Sequence, residues 1–390
     1  MSPVATYWCF LLVISVPLSA ACSSVRDKEP TSDSLRVNVA PNAQTPRWNL
    51  SAEPMLTIGR DGDSLYEFHN PGTALSLSDG RIVVTNAHQE IRYYGSNGEF
   101  IQRVGRKGYG PGEFRQLSAI TVLINDSIAA VNNHDGAFRE IIIFDDRGNS
   151  VREFRADMRG PGLIRLQSGD WIGEIVERQR MSCKATPTEV RSELPIVRAR
   201  PSGDVVQELA RILAGFGLMV GCDYYNVPLS PQGSWTAGGG HLFTADDTGH
   251  VIHVRSIESG RILRTVTTDA PQRRVTQDMI DEALNPPSPG NLGVGRERSR
   301  TTRPDMRYPD VLPSIFSMQV DKDGNLWVRR YFLASDPEHE WWIYEPNGRL
   351  EATLKHPSQF RLTEIGSDYV LGLWRDQNDV QTIRRYSLLK

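Results

Sequence analysis

The chain has 390 residues, which is longer than the range over which one ordinary hydrophobic core keeps growing. Its formal net charge of -3, with lysine and arginine scattered along the sequence, excludes a protein that binds nucleic acid through a basic surface. The 33 glycines and 24 prolines predict many turns, as in an all-β protein built from short strands.

The first 21 residues have the pattern of a signal peptide. An apolar run from Tyr7 to Leu18 is too short to cross a bilayer, and small residues follow it up to Cys22. This junction resembles the lipobox of bacterial lipoproteins, which implies that the Cys22 thiol carries a lipid after cleavage. Ordinary signal cleavage after Ala21 is one alternative, and a buried soluble helix is another. Both signal interpretations predict export, to the periplasm or the outer membrane of a bacterium, with membrane contact only through the lipid.

Residues 22–47 are rich in serine, proline, asparagine, aspartate and threonine, and they lack apolar periodicity. Such a composition is typical of a flexible tether. We therefore expect the folded body to span residues 48–390, where no stretch is apolar enough to cross a membrane.

An internal repeat identifies the fold. The segment Leu56–His88 recurs without a gap as Gln102–His134, shifted by 46 positions, so that Asn86 falls on Asn132. A period of about 40–50 residues with strand-like content is the signature of a β-propeller, in which each repeat forms one blade. The predicted fold class is therefore all-β.

Turn sequences divide the chain into six blades. Candidate turns between first and second strands, such as Ser78-Asp79-Gly80, occur six times, and candidate turns between third and fourth strands, such as Ser96-Asn97-Gly98, occur five times. The sixth repeat ends with its third strand, Val380–Tyr386, while Met55–Gly59 matches the outer strand Ile101–Gly105. We therefore expect this N-terminal outer strand to pair with the last blade and close the propeller.

Two insertions each carry a cysteine. Gln179–Ser192, with Cys183, lengthens a loop of the third blade, and Leu213–Gln232, with Cys222, lengthens the connection to the fourth. Both segments leave a propeller on the same face, so export predicts a disulfide between the two cysteines. Two separate buried thiols are the alternative.

A third insertion, 269–313, is the longest. It begins with a short amphipathic helix from Val275 to Leu284, with Thr276 as its N-cap. We expect the rest of this insertion to form a loop on the face that carries the other two.

The loop 105–114 (Gly-Arg-Lys-Gly-Tyr-Gly-Pro-Gly-Glu-Phe) and the turn 320–328 (Val-Asp-Lys-Asp-Gly-Asn-Leu-Trp-Val) resemble those of NHL-repeat propellers. More narrowly, the chain from about residue 54 onward is similar to exported six-bladed propellers of bacteria, many of them lipoproteins of unassigned role. The resemblance implies a propeller in the cell envelope, and it carries no catalytic motif. We expect a monomer.

Paired asparagines end the second strands of the first two blades. Asn86 and Asn132 supply oxygen ligands that suit Ca²⁺, as in lactonase-type propellers. Asp246, at the equivalent position of the fourth blade, adds a carboxylate, but Ile175 and Leu373 break the ring and Arg330 would repel a cation. The alternative is that each asparagine caps its strand end and bonds to loop backbone.

Two histidines occupy equivalent positions as well. His88 and His134 suit Zn²⁺, as in lyase-type propellers, although a third ligand is needed. Common ancestry of the two repeats explains the pair without any metal.

Arginines fall at or near the loops of the insertion-bearing face: Arg106, Arg178, Arg329, Arg330 and Arg375. Such a face suits a carboxylate, a phosphate or an acidic sugar. Solvated loop charges paired with nearby acids are the alternative. The sequence Asp321-x-Asp323-Gly-Asn325 resembles the start of a calcium loop, but a turn between two strands explains it.

These residues form no complete catalytic set. We therefore expect a non-catalytic envelope propeller without cofactor, which binds a small anionic ligand or an envelope protein on its loop-rich face. The alternative is a Ca²⁺- or Zn²⁺-dependent lactonase or lyase that acts at the central channel.

Overall fold

The computed structural model describes residues 35–390 except 135–137, 157, 167, 176–182, 247, 269 and 286–305. The described residues form six antiparallel blades, whose inner strands line one central channel, and one α-helix outside the blades. The prediction of an all-β, six-bladed propeller is confirmed. No helix in the described part of the chain is long and apolar enough to span a bilayer.

Three strands precede the blades: β1 (Leu35–Val39), β2 (Arg47–Leu50) and β3 (Leu56–Ile58). Blade 1 contains β4 (Ala74–Ser76), β5 (Ile82–Asn86), β6 (Glu90–Tyr94) and β7 (Phe100–Val104). Blade 2 contains β8 (Leu117–Val122), β9 (Ile128–His134), β10 (Phe138–Phe144) and β11 (Ser150–Ala156). Blade 3 contains β12 (Met158–Arg165), β13 (Trp171–Ile175), β14 (Lys184–Ala199), β15 (Val205–Gly221) and the additional β16 (Asp223–Asn226).

Blade 4 contains β17 (Ser234–Gly238), β18 (His241–Ala245), β19 (Val251–Ser256) and β20 (Ile262–Thr268), and the helix α1 (Gln277–Leu284) follows it. Blade 5 contains β21 (Ile315–Val320), β22 (Leu326–Arg330), β23 (Glu338–Tyr344) and β24 (Leu350–Pro357). Blade 6 contains β25 (Phe360–Ile365), β26 (Tyr369–Arg375) and β27 (Gln381–Leu389). We call the face with the loops between second and third strands and between blades the upper face, and the opposite face the lower face.

The N-terminal strand β3 completes blade 6, as predicted. It pairs antiparallel with β27, with Ile58 opposite Ile383. The Ile58 side chain is 1% exposed and packs in the cluster between blades 6 and 1. The strand β2 pairs with both β24 and β27, so it joins blades 5 and 6 into one sheet. The strands β2 and β3 therefore share one sheet with the C-terminal strand β27, which covers edges that would otherwise be open.

The strand β1 lies inside the segment that we expected to be an unstructured tether. It pairs in parallel with β20, as a fifth strand of blade 4, with Leu35 opposite Arg264 and Val39 opposite Thr268. The sequence Leu-Arg-Val-Asn-Val alternates apolar and polar residues, which is the pattern of a half-buried strand. This strand was not predicted because the alternating pattern is only five residues long and lies in a segment rich in polar residues.

In the part of the chain that the structure describes, the first two insertions are largely strands rather than loops. The pairing of β13 with β14 ends at Glu174 and Ile196, but β14 and β15 continue to pair as far as Lys184 and Gly221. The result is a long arm that rises from the upper face, to which β16 adds a third strand. The predicted disulfide between Cys183 and Cys222 lies at the end of this arm, with a Cα–Cα distance of 4.3 Å.

The third insertion begins with the predicted helix. Thr276 is its N-cap, and its side chain accepts a hydrogen bond from the Met279 amide at 3.4 Å. Met279 packs in a cluster with Leu229 of the second insertion, Leu312 near the end of the third insertion itself, and Leu333 of blade 5. The second and third insertions therefore meet on the upper face.

The turn after β21 shows which groups use the carboxylate oxygens of the calcium-like sequence. The Asp321 carboxylate accepts hydrogen bonds from the amides of Asp323 and Asn325, from the Asn325 side chain, and from the indole of Trp327 at 2.9 Å. Trp327 is fully buried and packs on Trp48 of β2. The Asp321 oxygens thus accept hydrogen bonds that stabilise the turn and that satisfy the buried indole of Trp327.

Candidate ligand-binding site

The two asparagines that end second strands hold the loops of the upper face. Asn86 is 2% exposed, and its Oδ1 accepts a hydrogen bond from the His69 amide at 2.8 Å. Asn132 is 1% exposed, and its Oδ1 accepts from the amides of Arg115 and Gln116 at 2.9 and 3.1 Å. Because these amides use the oxygens that a cation would need, the geometry favours the capping role.

The paired histidines make separate local contacts. His88 Nε2 lies 2.9 Å from the Asn70 side-chain amide, whereas His134 Nε2 lies 3.1 Å from the Glu140 carboxylate. His88 faces the channel, while His134 interacts with its own hairpin. Within the described residues, no group of three or more His, Cys, Asp or Glu side chains could hold a metal ion.

Two of the predicted arginines lie away from the channel. Arg106 is exposed and pairs with Glu113 at 2.7 Å. Arg330 lies against the Trp342 ring, 4.4 Å from its centroid, on the wall of a different cavity. Arg178 lies outside the described residues, as does Cys22. The structure therefore does not bring the predicted arginines together as one set.

A cavity of 1230 Å³ opens at the upper end of the channel. We call it the mouth cavity. Loops and strand ends of blades 1, 2, 3, 5 and 6 form its wall, which combines apolar side chains with several charged ones. The charged and ring-bearing residues of the wall include His88, Arg139, Glu174, Phe332, His339, Arg361, Trp374, Arg375 and Asp376. Its volume is larger than that of most small-ligand pockets, and its mixed wall is typical of them.

Two arginines of blade 6 stand side by side in this wall. Arg361, at the start of β25, donates from Nη2 to the carbonyls of Pro71 and Gly72 at 3.2 and 2.6 Å. Arg375, at the end of β26, lies 3.0 Å from the Asp379 carboxylate. Burial and the nearby Arg375 charge lower the pKa of Arg361. The carbonyls orient Arg361 but do not neutralise it.

A third arginine lies beneath the first two. The Arg329 guanidinium is 4.1 Å from the Phe332 ring centroid, and its Nη2 is 3.2 and 3.3 Å from the two ring nitrogens of His339. Its Nε is buried and has no hydrogen-bond partner, and no carboxylate pairs with it among the described residues. Burial, then the charge of Arg361, lowers its pKa to about 10. Arg361 therefore lies between two like charges, because it repels Arg329 and is repelled by Arg375.

Two buried histidines support this wall. Trp341 Nε1 donates to His356 Nε2 at 2.9 Å, and His356 Nδ1 lies 2.9 Å from the Pro357 carbonyl, which fixes the neutral ring with its proton on Nδ1. Burial and the nearby Arg329 charge lower the pKa of His339 to about 3. Burial also lowers the pKa of His356 to about 4. Both rings are neutral around pH 7, so the positive charge of the wall is that of its arginines.

The carboxylates of the mouth cavity have partners elsewhere. Glu174 accepts a hydrogen bond from the Trp235 indole at 3.0 Å. Asp376 Oδ1 accepts from the amides of Asn378 and Val380 at 2.8 and 2.9 Å. These contacts hold the two carboxylates in place. Arg375 is paired with Asp379, so Arg361 is the guanidinium of this wall that has no carboxylate partner among the residues just described and remains available to an anionic group.

The lower part of the channel is different. It forms a cavity of 710 Å³ lined by the inner strands of all six blades. Its buried carboxylate, Glu364, pairs with Lys322 at 2.6 Å, and accepts from the Tyr369 hydroxyl at 2.8 Å and from the Ser76 amide. Because this charge is paired, we place the candidate site at the mouth cavity.

Arg361 and His339 are not among the residues predicted from the ends of second strands. Arg361 is the second residue of a first strand, and His339 is the second residue of a third strand. All three kinds of strand end lie at the upper face. An alignment that included first-strand starts would have shown Arg361 as a charged residue at a channel-facing position.

Comparisons with known proteins agree with the fold. The sequence profile of DUF5128, described as a 6-bladed beta-propeller, matches residues 68–171. Among curated proteins, none matches the sequence. A solved structure from Bacteroides fragilis, described as an inferred exported protein, is 14% identical with a TM-score of 0.50, and the match covers 92% of this chain and 99% of that one. A DUF4221 family member from Bacteroides vulgatus is 12% identical with a TM-score of 0.50, covering 88% and 99%.

Proposed function

We propose that this protein is an exported, non-catalytic propeller that binds a small anionic ligand in the mouth cavity. The observation that carries the proposal is the pair of Arg361 and Arg375 in one wall of the cavity, with Arg329 behind Arg361. The Arg375 charge lowers the pKa of Arg361, and the Arg361 charge lowers the pKa of Arg329. A bound carboxylate, phosphate or acidic sugar relieves this repulsion and accepts charge-assisted hydrogen bonds. The description of the B. fragilis structure supports export.

Isothermal titration at low salt tests the proposal, with citrate, inorganic phosphate and glucuronate as probes. Arg361→Gln keeps a donor for the two loop carbonyls but removes the charge, so we expect roughly tenfold weaker binding of the best probe. Arg349→Gln is the matched control, because Arg349 is exposed on the lower face and pairs with Glu345.

Equal affinity in wild type and Arg361→Gln, or no binding of any probe up to about 10 mM, refutes the anion site. Loss of binding in the Arg349→Gln control shows that general charge, rather than the mouth cavity, attracts the probes. If anions fail while pull-downs recover an envelope protein, the ligand is a protein partner instead.

We propose in addition that Cys22 anchors the protein through a lipid, a proposal that the signal-like segment and its junction support. Cys22→Ser should release the protein from the membrane fraction into the soluble fraction. Unchanged fractionation of this variant contradicts the anchor.

A further inference from the structure

A second cavity, of 570 Å³, lies beside the mouth cavity on the outer part of the upper face. We call it the side cavity. Blade 5 forms its floor through Arg330, Glu340, Trp342 and Lys355, and Pro41 and Pro271 cover it from the N-terminal segment and from the start of the third insertion. Its volume suits a small molecule rather than a polymer.

The floor of the side cavity holds a guanidinium without a charge partner. Arg330 stacks on the Trp342 ring at 4.4 Å, and its Nη1 is buried without a hydrogen-bond partner among the described residues. Burial lowers its pKa. A carboxylate bound in the cavity would neutralise this guanidinium through the part of the Arg330 side chain that lines the wall.

A carboxylate faces the same space. Glu340 lies two positions before Trp342 on β23, on the same side of the strand, and its Oε1 accepts from the Trp342 indole at 3.1 Å. The Oε2 atom of Glu340 has no hydrogen-bond partner in the described part of the chain. The Glu340 charge raises the pKa of Arg330, but by less than burial lowers it.

The remaining charges of the wall balance. Arg273 and Asp336 neutralise each other through two hydrogen bonds of 2.6 and 3.2 Å. This leaves Arg330 and Lys355 against Glu338 and Glu340, and among the described residues none of these four forms an ion pair. The two glutamates would repel a ligand that carries only negative charge, and Arg330 would repel a ligand that carries only positive charge.

We propose that the side cavity binds a small zwitterion, an α-amino acid with an apolar side chain. Its carboxylate pairs with Arg330, its ammonium group pairs with Glu340, and its side chain packs on Tyr331 and the two prolines of the cavity wall. This site is separate from the mouth cavity and does not depend on the function proposed for it.

Titration calorimetry with three probes of one shape tests the proposal on the unaltered protein. The probes are L-phenylalanine, 3-phenylpropanoate, which lacks the ammonium group, and 2-phenylethylamine, which lacks the carboxylate. We expect the amino acid to bind roughly tenfold or more tightly than either analogue, because each analogue leaves one buried charge without its partner. Equal affinities, or no binding of the amino acid up to about 10 mM, overturn the proposal.

Variants then locate the site. Arg330→Gln and Glu340→Gln should each weaken phenylalanine binding about tenfold, while Arg361→Gln at the mouth cavity leaves it unchanged. A far-UV circular dichroism spectrum equal to that of the wild type shows that Arg330→Gln is folded, and any citrate binding at the mouth cavity should be unchanged in this variant. Phenylalanine binding that depends on Arg361 and not on Arg330 overturns the assignment.

Discussion

The two buried histidines make the protein sensitive to acid. The folded protein lowers the pKa of His356 from 6.5 to about 4, mainly by burial. A histidine whose pKa is lowered by folding stays neutral in the folded state at pH values where it is protonated in the unfolded state. Its contribution to stability is therefore complete above about pH 6.5 and is lost as the pH falls toward 4. His339, whose pKa is lowered to about 3, acts in the same direction.

The magnitude follows from the two pKa values. One pKa unit corresponds to about 1.4 kcal/mol of differential protonation free energy. At pH 4.5 the unfolded histidine, with its pKa of 6.5, is fully protonated, whereas most folded molecules keep His356 neutral. The free energy of unfolding should therefore fall by about 2.5 kcal/mol between pH 7 and pH 4.5 through this residue alone.

Urea unfolding at pH 7 and pH 4.5 measures this effect. His356→Gln keeps an acceptor for the Trp341 indole but cannot take up a proton, so its loss of stability on acidification should be about 2 kcal/mol smaller than that of the wild type. His69→Gln is the control, because the His69 side chain is 66% exposed. If wild type and His356→Gln lose the same free energy on acidification, the reasoning is wrong.

Three further perturbations have defined outcomes. Ile58→Ala should cost about 2–5 kcal/mol in urea unfolding, because the side chain is buried in the closing strand, whereas Met55→Ala, at 64% exposure, should change stability by less than about 0.5 kcal/mol. Reduction of the Cys183–Cys222 bond should lower stability by about 2–4 kcal/mol, and a double serine variant should not respond to the reductant. Asn132→Ala should cost about 1–3 kcal/mol through the loss of its loop hydrogen bonds, and a loss of stoichiometric metal in this variant would favour the metal-dependent enzyme instead.

The ring and its closure were predictable because they rest on local signals that repeat. Glycine turns such as those at Gly98 and Gly148 adopt positive φ values of 86° and 85° at equivalent positions, and the same residue types mark them in the sequence. The unmatched copy of the outer strand at Met55–Gly59 located the closure. The long arm was not predictable in this way, because its strands continue past the length of a blade and no other repeat contains an equivalent segment.

The site was predictable only in part. Arg375 lies in the mouth cavity and Arg329 lies beneath it, as the basic-face hypothesis required, but Arg330 belongs to another cavity and Arg106 is paired at the surface. Whether Asn132 offers its oxygen to a ligand or to backbone amides depends on the path of the preceding loop. The path of that loop depends on tertiary packing, so residue type and spacing in the sequence do not predict it.

The direction of β1 has a practical consequence. Because this strand runs parallel to the outer strand of blade 4, Leu35 sits toward the end of the blade that carries the hairpin turns, and Val39 sits toward the opposite end. A tag, bead or chip surface attached ahead of Leu35 would thus meet the propeller from below. Molecules immobilised in this orientation would present their arginine-lined entrance to the bulk solution, where a diffusing ligand can reach it.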